Sequence, residues 1–186
     1  MKKIFLAIAL VASTIGIYSF TTKVADTFTV NTATSKLEFI GSKTDGFHPG
    51  YFTLKSGAVS IDAGKLVGGS FVIDLASLKI TDDAGTKLEG HLKAPDFFDF
   101  SKGTEAAYTI SSVKYTSANQ AEIDGKLTLK GATAPVKFIA NIRGVDDKKF
   151  FAEATFSLDR TAFGINYGIG KIASDVQVTV HLFATK

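Results

Sequence analysis

Cysteine and tryptophan are absent from this 186-residue chain, and its single methionine is Met1. Without cysteine there is no disulfide framework, no thiolate metal site, no thiol nucleophile and no lipoprotein attachment point. Serine offers no replacement nucleophile, because no Gly-x-Ser-x-Gly elbow occurs. The three histidines, His48, His91 and His181, are far apart in sequence, and none forms the His-x-His spacing that would converge on a metal. No metal and no obligatory cofactor are therefore expected. GINYGIGK looks like a phosphate loop, but Ile165 stands where the first glycine is needed and Ile172 follows Lys171 in place of Ser or Thr.

A concentrated positive charge is also missing. The formal net charge is +3, and it falls to +1 once Lys2 and Lys3 are set aside. The remaining lysines alternate with apolar residues and form no basic stripe, so a nucleic-acid partner is not expected.

Those first lysines belong to MKKIFLAIALVASTIGIYSF, a charged start followed by an apolar run from Ile4 to Phe20. The run falls short of the roughly 20 residues that cross a bilayer and contains Ser13, Thr14 and Gly16. It reads as a signal peptide over residues 1–22, which leaves one domain over 23–186 and places the mature protein in the periplasm or outside the cell.

Sixteen phenylalanines and seventeen glycines stand out in the rest. A core drawn from them is built of rigid rings. Period-two alternation recurs along the chain, most cleanly in AEIDGKLTLKG, where Ile123, Leu127 and Leu129 share one face and Glu122, Asp124, Lys126, Thr128 and Lys130 the other. SKLEFIG, APVKFIANIR and SDVQVTVHLFA follow the same rule, with Leu37, Phe39, Phe138 and Val178 on inward faces. TFTVNT, YFTLKSG, GSFVIDLASL, AYTISSVKY and FFAEATFSL give weaker versions. Turn signals separate these runs at Asn31 to Ser35, Asp62 to Gly64, Asn119 and Gln120, and Asp146 to Lys149. Many short strands at this spacing indicate an all-β sandwich or barrel. A short helix is expected near 82–92, capped by Asp82 or Asp83 and stopped by Pro95. RTAFGINYGIGKIAS reads as a loop or bent strand.

Three segments in order, HLKAPDFFDF, GKLTLKGATAPVKF and LDRTAFGINYG, resemble the motifs of the YceI-like family of bacterial exported proteins. They fall on His91-Leu92, Asp96 to Asp99, Gly125 to Val136 and Arg160 to Gly164. Departures occur at Phe28, Val30 and Asn31, where many relatives have Trp-x-hydrophobic-Asp, and at Glu89-Gly90, where they have Arg-Asp. The resemblance implies an eight-stranded antiparallel barrel, lipocalin-like, around an elongated pocket for a polyisoprenoid, an isoprenoid quinone or a similar long-chain lipid. It implies no catalysis.

An eight-stranded barrel is wide enough to be filled by side chains or to hold one slim ligand. Its inner face would carry Leu37, Phe39, Phe71, Ile73, Leu75, Leu127, Leu129, Phe138 and Phe156. The expected pocket also takes in Phe52, Phe97, Phe98, Phe163 and Ile165, with His91 as a contact for a polar head. Phe97 or Phe98 is expected to fold over one barrel end, with Asp96 and Asp99 bonded to backbone donors of the turn. Transient membrane contact and oligomer formation are compatible with this reading. Two rivals remain: a hydrolase-type enzyme using His91, Asp96 and Asp99, and a structural exported protein whose barrel is filled.

Overall fold

The computed structural model describes residues 24–186; the expected signal peptide over 1–22 lies outside the described residues. Nine strands follow in chain order: β1 Asp26–Val30, β2 Lys36–Lys43, β3 Gly46–Asp62, β4 Lys65–Ile80, β5 Glu105–Ser117, β6 Gln120–Leu129, β7 Ala132–Val145, β8 Lys149–Asp159 and β9 Ile172–Thr185. Helix α1, Gly85–Leu92, lies between β4 and β5, and a 3-10 turn at Arg160–Phe163 precedes the loop to β9.

Each strand from β2 to β9 pairs antiparallel with its neighbour, and β9 returns to β2, so eight staves close a barrel. The nine runs fit eight staves because β1 and β2 share one. β1 pairs with the later part of β3, Thr29 opposite Ala58, and β2 with the earlier part, Leu37 opposite Phe52; both also pair with β9. Asn31 to Ser35 is an excursion within that stave. Asn31 Oδ1 accepts from the backbone N–H of Ala33 and Thr34. The buried Ser35 hydroxyl donates to Phe183 O at 3.2 Å and accepts from Phe183 N at 3.0 Å. Ser35 thus partners both backbone groups of Phe183 at the break, sharing the carbonyl with Asn31 N at 2.8 Å.

The long strands change facing part-way. In β3 the buried positions are Gly50, Phe52 and Leu54, then Val59 and Ile61; in β4 they are Leu66, then Ile73 and Leu75, then Leu78 and Ile80. An inserted residue reverses parity, and the β3–β4 register shifts at the points between. The β4 bulge is fixed by Asp74 Oδ1 accepting from Ala76 N, Ser77 Oγ donating to Asp74 O, and Thr53 N donating to Ser77 Oγ.

One end of the barrel is shut. Phe28, Val59, Ile61, Leu66, Ile123 and Phe150 are buried there, Phe28 and Phe150 to 1% exposure. The other end carries α1, the DFFDF loop, the β6–β7 turn and the loop from Arg160 to Lys171. Neither Asp82 nor Asp83 caps α1: Ala84 is its N-cap and no side chain bonds there, while Asp82 accepts from Ala84 N in the preceding turn. Buried Glu89 anchors the helix by accepting from Ile80 N, and Lys79 Nζ lies 3.6 Å from its other oxygen.

Candidate functional site

A cavity of about 300 Å³ runs inside the barrel from the shut end to α1, within the range of small-ligand sites. Its walls are apolar side chains of the inward parity. Every apolar residue expected from the sequence touches it except Phe163, which is buried but off the cavity wall. The interior is therefore hollow, which argues against the filled-barrel alternative.

Stacked rings shape the walls. Phe71 of β4, Tyr108 of β5, Phe138 of β7 and Phe156 of β8 form a belt with successive centroids 6.4, 5.8 and 4.5 Å apart. The belt passes over β6 at Gly125, where a Cβ would stand 2.3 Å from the Tyr108 ring. Only glycine lets the ring lie flat on that stave. The Tyr108 hydroxyl donates to Val136 O at 3.2 Å, and burial pushes its ionisation well above the usual phenol range. A second set, Phe98, Phe52 and Phe39, spans from the roof to β3 and β2, with centroids 5.5 and 5.3 Å apart.

Leu88 and Leu92 of α1, with Phe97 and Phe98, form the roof. Of the three phenylalanines of DFFDF, Phe97 and Phe98 turn inward and Phe100 is off the cavity wall. The aspartates do not bond to backbone donors as expected: Asp96 Oδ2 lies 3.1 Å from His91 Nε2, and Asp99 accepts from the Ser101 hydroxyl, with Lys102 Nζ 3.6 Å away. The Ser101 bond, followed by the Lys102 and Lys130 charges, holds Asp99 below the usual carboxylate range. Asp99 is thus committed elsewhere, and of the His91, Asp96 and Asp99 set that the rival enzyme reading needs, only His91 and Asp96 meet. His91 is not on the cavity wall; its ring meets Phe97 and Tyr167 edge-on, both at 4.9 Å. The polar-head contact assigned to it from sequence therefore lacks its geometry.

Lys130 does not end a strand face in solvent. With Gly131 it forms the β6–β7 turn, both at positive φ (53° and 79°). Its ammonium donates to Pro95 O at 2.7 Å and Gly164 O at 3.4 Å, tying the DFFDF loop to the loop after β8.

Wall residues that reach solvent, Ser42, Lys43 and His48, mark the mouth at the β2–β3 hairpin. The β2–β9 ladder steps there from Gly41 opposite Val176 to Lys43 opposite Ile172, so Ser42 alone faces residues 173–175. Arg160 holds the widened seam: Nε, Nη1 and Nη2 donate to the carbonyls of Ala173, Ile165 and Ile172 at 2.8, 2.6 and 3.1 Å. Burial lowers its pKa, and the nearby Asp159 charge opposes that. His48, read from sequence as a turn residue, has the inward parity of Gly50 and Phe52. Its Nδ1 lies 2.8 Å from Asp82 Oδ2, which joins the hairpin to the turn before α1. Among the described residues no group of three or more His, Cys, Asp or Glu converges on a metal position.

Residues 28–184 match the family model of the YceI-like domain. The chain belongs to that family. A UPF0312 protein of Pseudomonas putida is 28% identical over 145 residues, covering 75% of this chain and 74% of the relative, and one from Pseudomonas fluorescens is 28% identical over 142. Among solved structures, BcnA of Burkholderia cenocepacia superposes with a TM-score of 0.73 at 24% identity, over 84% of this chain and 99% of that one. A structure described as a polyisoprenoid binding domain from Saccharophagus degradans gives 0.68 at 19%, over 88% and 99%. At these identities the superpositions establish a shared fold. In this YceI-like chain, sequence reasoning missed Arg160, Lys130, Tyr108 and His48 as site-building residues. The motif quoted around Arg160 and the even-numbered alternation through His48, Gly50 and Phe52 carried the available signals.

Proposed function

We propose that this YceI-like protein binds and carries a long apolar lipid, such as a polyisoprenoid or an isoprenoid quinone, and that it does so without catalysis. The observation that carries the reading is a tube shut at one end, open at the other and lined almost wholly by hydrocarbon. Burial at ~25 cal/mol per Å² lets a prenyl chain that sheds several hundred Å² of surface bind after ordering costs are met. The description of the Saccharophagus domain as polyisoprenoid binding supports the ligand class. The apolar, lysine-headed N-terminus supports export to the periplasm or beyond.

Loading from a bilayer is supported by the outer face of the β2–β3 hairpin beside the mouth. Phe47 there is 62% exposed, and Ile40 and Tyr51 stand on the same face. Exposed apolar side chains at a rim suit transient contact with lipid. Phe47→Ser should reduce co-sedimentation with phospholipid vesicles while leaving the melting temperature unchanged.

Organic extraction of the purified mature protein, followed by mass spectrometry, tests the main reading. Near-stoichiometric long-chain lipid is expected. A protein that carries none, and takes up none when incubated with a prenyl lipid, would refute it.

A further inference from the structure

Resting on that reading, we infer that His48, aligned by Asp82, is the polar anchor of the site and selects an apolar chain ending in a hydroxyl, a prenyl alcohol or a quinol. Apart from the Ser42 hydroxyl beside it at the mouth, the wall leaves few other candidates. The Tyr108 hydroxyl is engaged by Val136 O, and each Arg160 nitrogen donates to a backbone carbonyl. Both Glu153 oxygens are taken, one by Arg143 Nε at 2.7 Å and the other by His181 Nδ1 at 3.1 Å. Lys43 Nζ lies 3.3 Å from Asp45 on a flexible stem. A head group cannot be satisfied in the depth of such a tube, so it stays at the mouth while the chain runs to the shut end.

His48 stands at that mouth on the inward parity of β3, and its side chain is 30% exposed. The Nδ1 contact to Asp82 at 2.8 Å fixes the ring, and the hydrogen bond from His48 is the main cause that holds Asp82 below the usual carboxylate range. Nδ1–H donates to the carboxylate, and when the imidazole is neutral its Nε2 carries the lone pair. Nε2 has no partner among the described residues. A held lone pair beside an apolar tube accepts from a hydroxyl and offers nothing to a hydrocarbon end.

The test measures uptake of three ligands of equal chain length: a prenyl alcohol, its phosphate and a prenyl hydrocarbon. The wild type should prefer the alcohol to the hydrocarbon by about tenfold, the worth of one hydrogen bond. His48→Phe should remove that preference and leave hydrocarbon uptake intact. Asp82→Ala, which keeps the imidazole but frees its orientation, should weaken the preference, and covers the case in which His48→Phe fails to fold. An alcohol preference that survives both variants would overturn the proposal and leave the pair as a fastening of the hairpin. A phosphate preference lost only in Lys43→Ala would also overturn it, placing the head on the ammonium. Uptake of all three ligands without preference defeats the His48 assignment but not lipid binding; uptake of none defeats both.

Discussion

Gly125→Ala is a one-methyl change with a consequence that can be worked from geometry. The new Cβ would stand 2.3 Å from Cζ and Oη of Tyr108 and 2.6 Å from Thr109 O. Packed carbons sit about 3.5–4.0 Å apart, so the ring must retreat by roughly an ångström or more. Its free side is the cavity. Retreat breaks the bond from the Tyr108 hydroxyl to Val136 O and leaves a buried donor without its partner. Overpacking costs about 1–3 kcal/mol and the orphaned hydroxyl about 1–3 more, so the total is about 2–6 kcal/mol. In a domain of this size that is a fall of about 4–24 °C in Tm. Lipid uptake should fall as well, because the displaced ring occupies the tube. Gly144→Ala, in β7 with nothing within 4 Å of its Cβ position, is the control and should change stability by less than about 1 kcal/mol. Thermal melts and extracted lipid for both variants decide it. If Gly125→Ala melts with Gly144→Ala and keeps its lipid, the belt does not depend on a bare stave at residue 125.

Lys130→Ala should lower stability by about 1–2 kcal/mol, the low end for bonds to a charged group because the ammonium is partly solvated, and should speed lipid release by loosening the roof. Chemical denaturation and a lipid-transfer time course measure the two effects. Ser35→Ala removes both bonds to Phe183 at the split stave and should cost about 1–3 kcal/mol, with faster hydrogen exchange at Phe183 N. Acid should destabilise the fold. Asp99, Asp159 and Glu153 are held below the usual carboxylate range mainly by Ser101, Thr161 and Arg143 respectively. Stability from such depressed groups is fully present above the ordinary carboxylate pKa of about 4 and is lost as pH falls through the lower folded values. A Tm constant from pH 7 to 5 that drops below about pH 4, with a smaller drop in Asp159→Asn, is the expected profile.

Strand existence and facing were legible wherever alternation ran unbroken, as from Ile123 to Leu129, because a period of two with one buried face leaves a single consistent register. Leu78 and Ile80 were missed at the β4 bulge, where side chains of Asp74 and Ser77 bond across the strand and reverse parity without any apolar signal. Lys130 was misread because Leu-Lys-Gly continues the alternation; the turn shows itself only in Gly131 and its positive φ. His91 drew attention through its neighbours Asp96 and Asp99, yet its ring meets Tyr167, seventy-six residues on, which sequence proximity cannot show. His48 was passed over because Pro49 and Gly50 explain a turn. Those residues lie instead inside a seventeen-residue strand, where position 48 faces inward.

The palette of many phenylalanines, no tryptophan and no internal methionine follows from what an unfilled tube requires. A void loses dispersion contacts along its lining, so flexible side chains around it tend to close it. Rings locked against one another across separate staves cannot close it without leaving their stacks. Phe138 against Phe156, at 4.5 Å and 11° between planes, joins β7 to β8, and Phe39 against Phe52, at 5.3 Å, joins β2 to β3. Glycines stand where a ring must lie on a neighbouring strand: Gly125 under Tyr108, and Gly50 under Phe39, where a Cβ would come within 2.5 Å of the ring. Such walls hold the width of the tube before a ligand arrives, so less ordering is left to be done on binding.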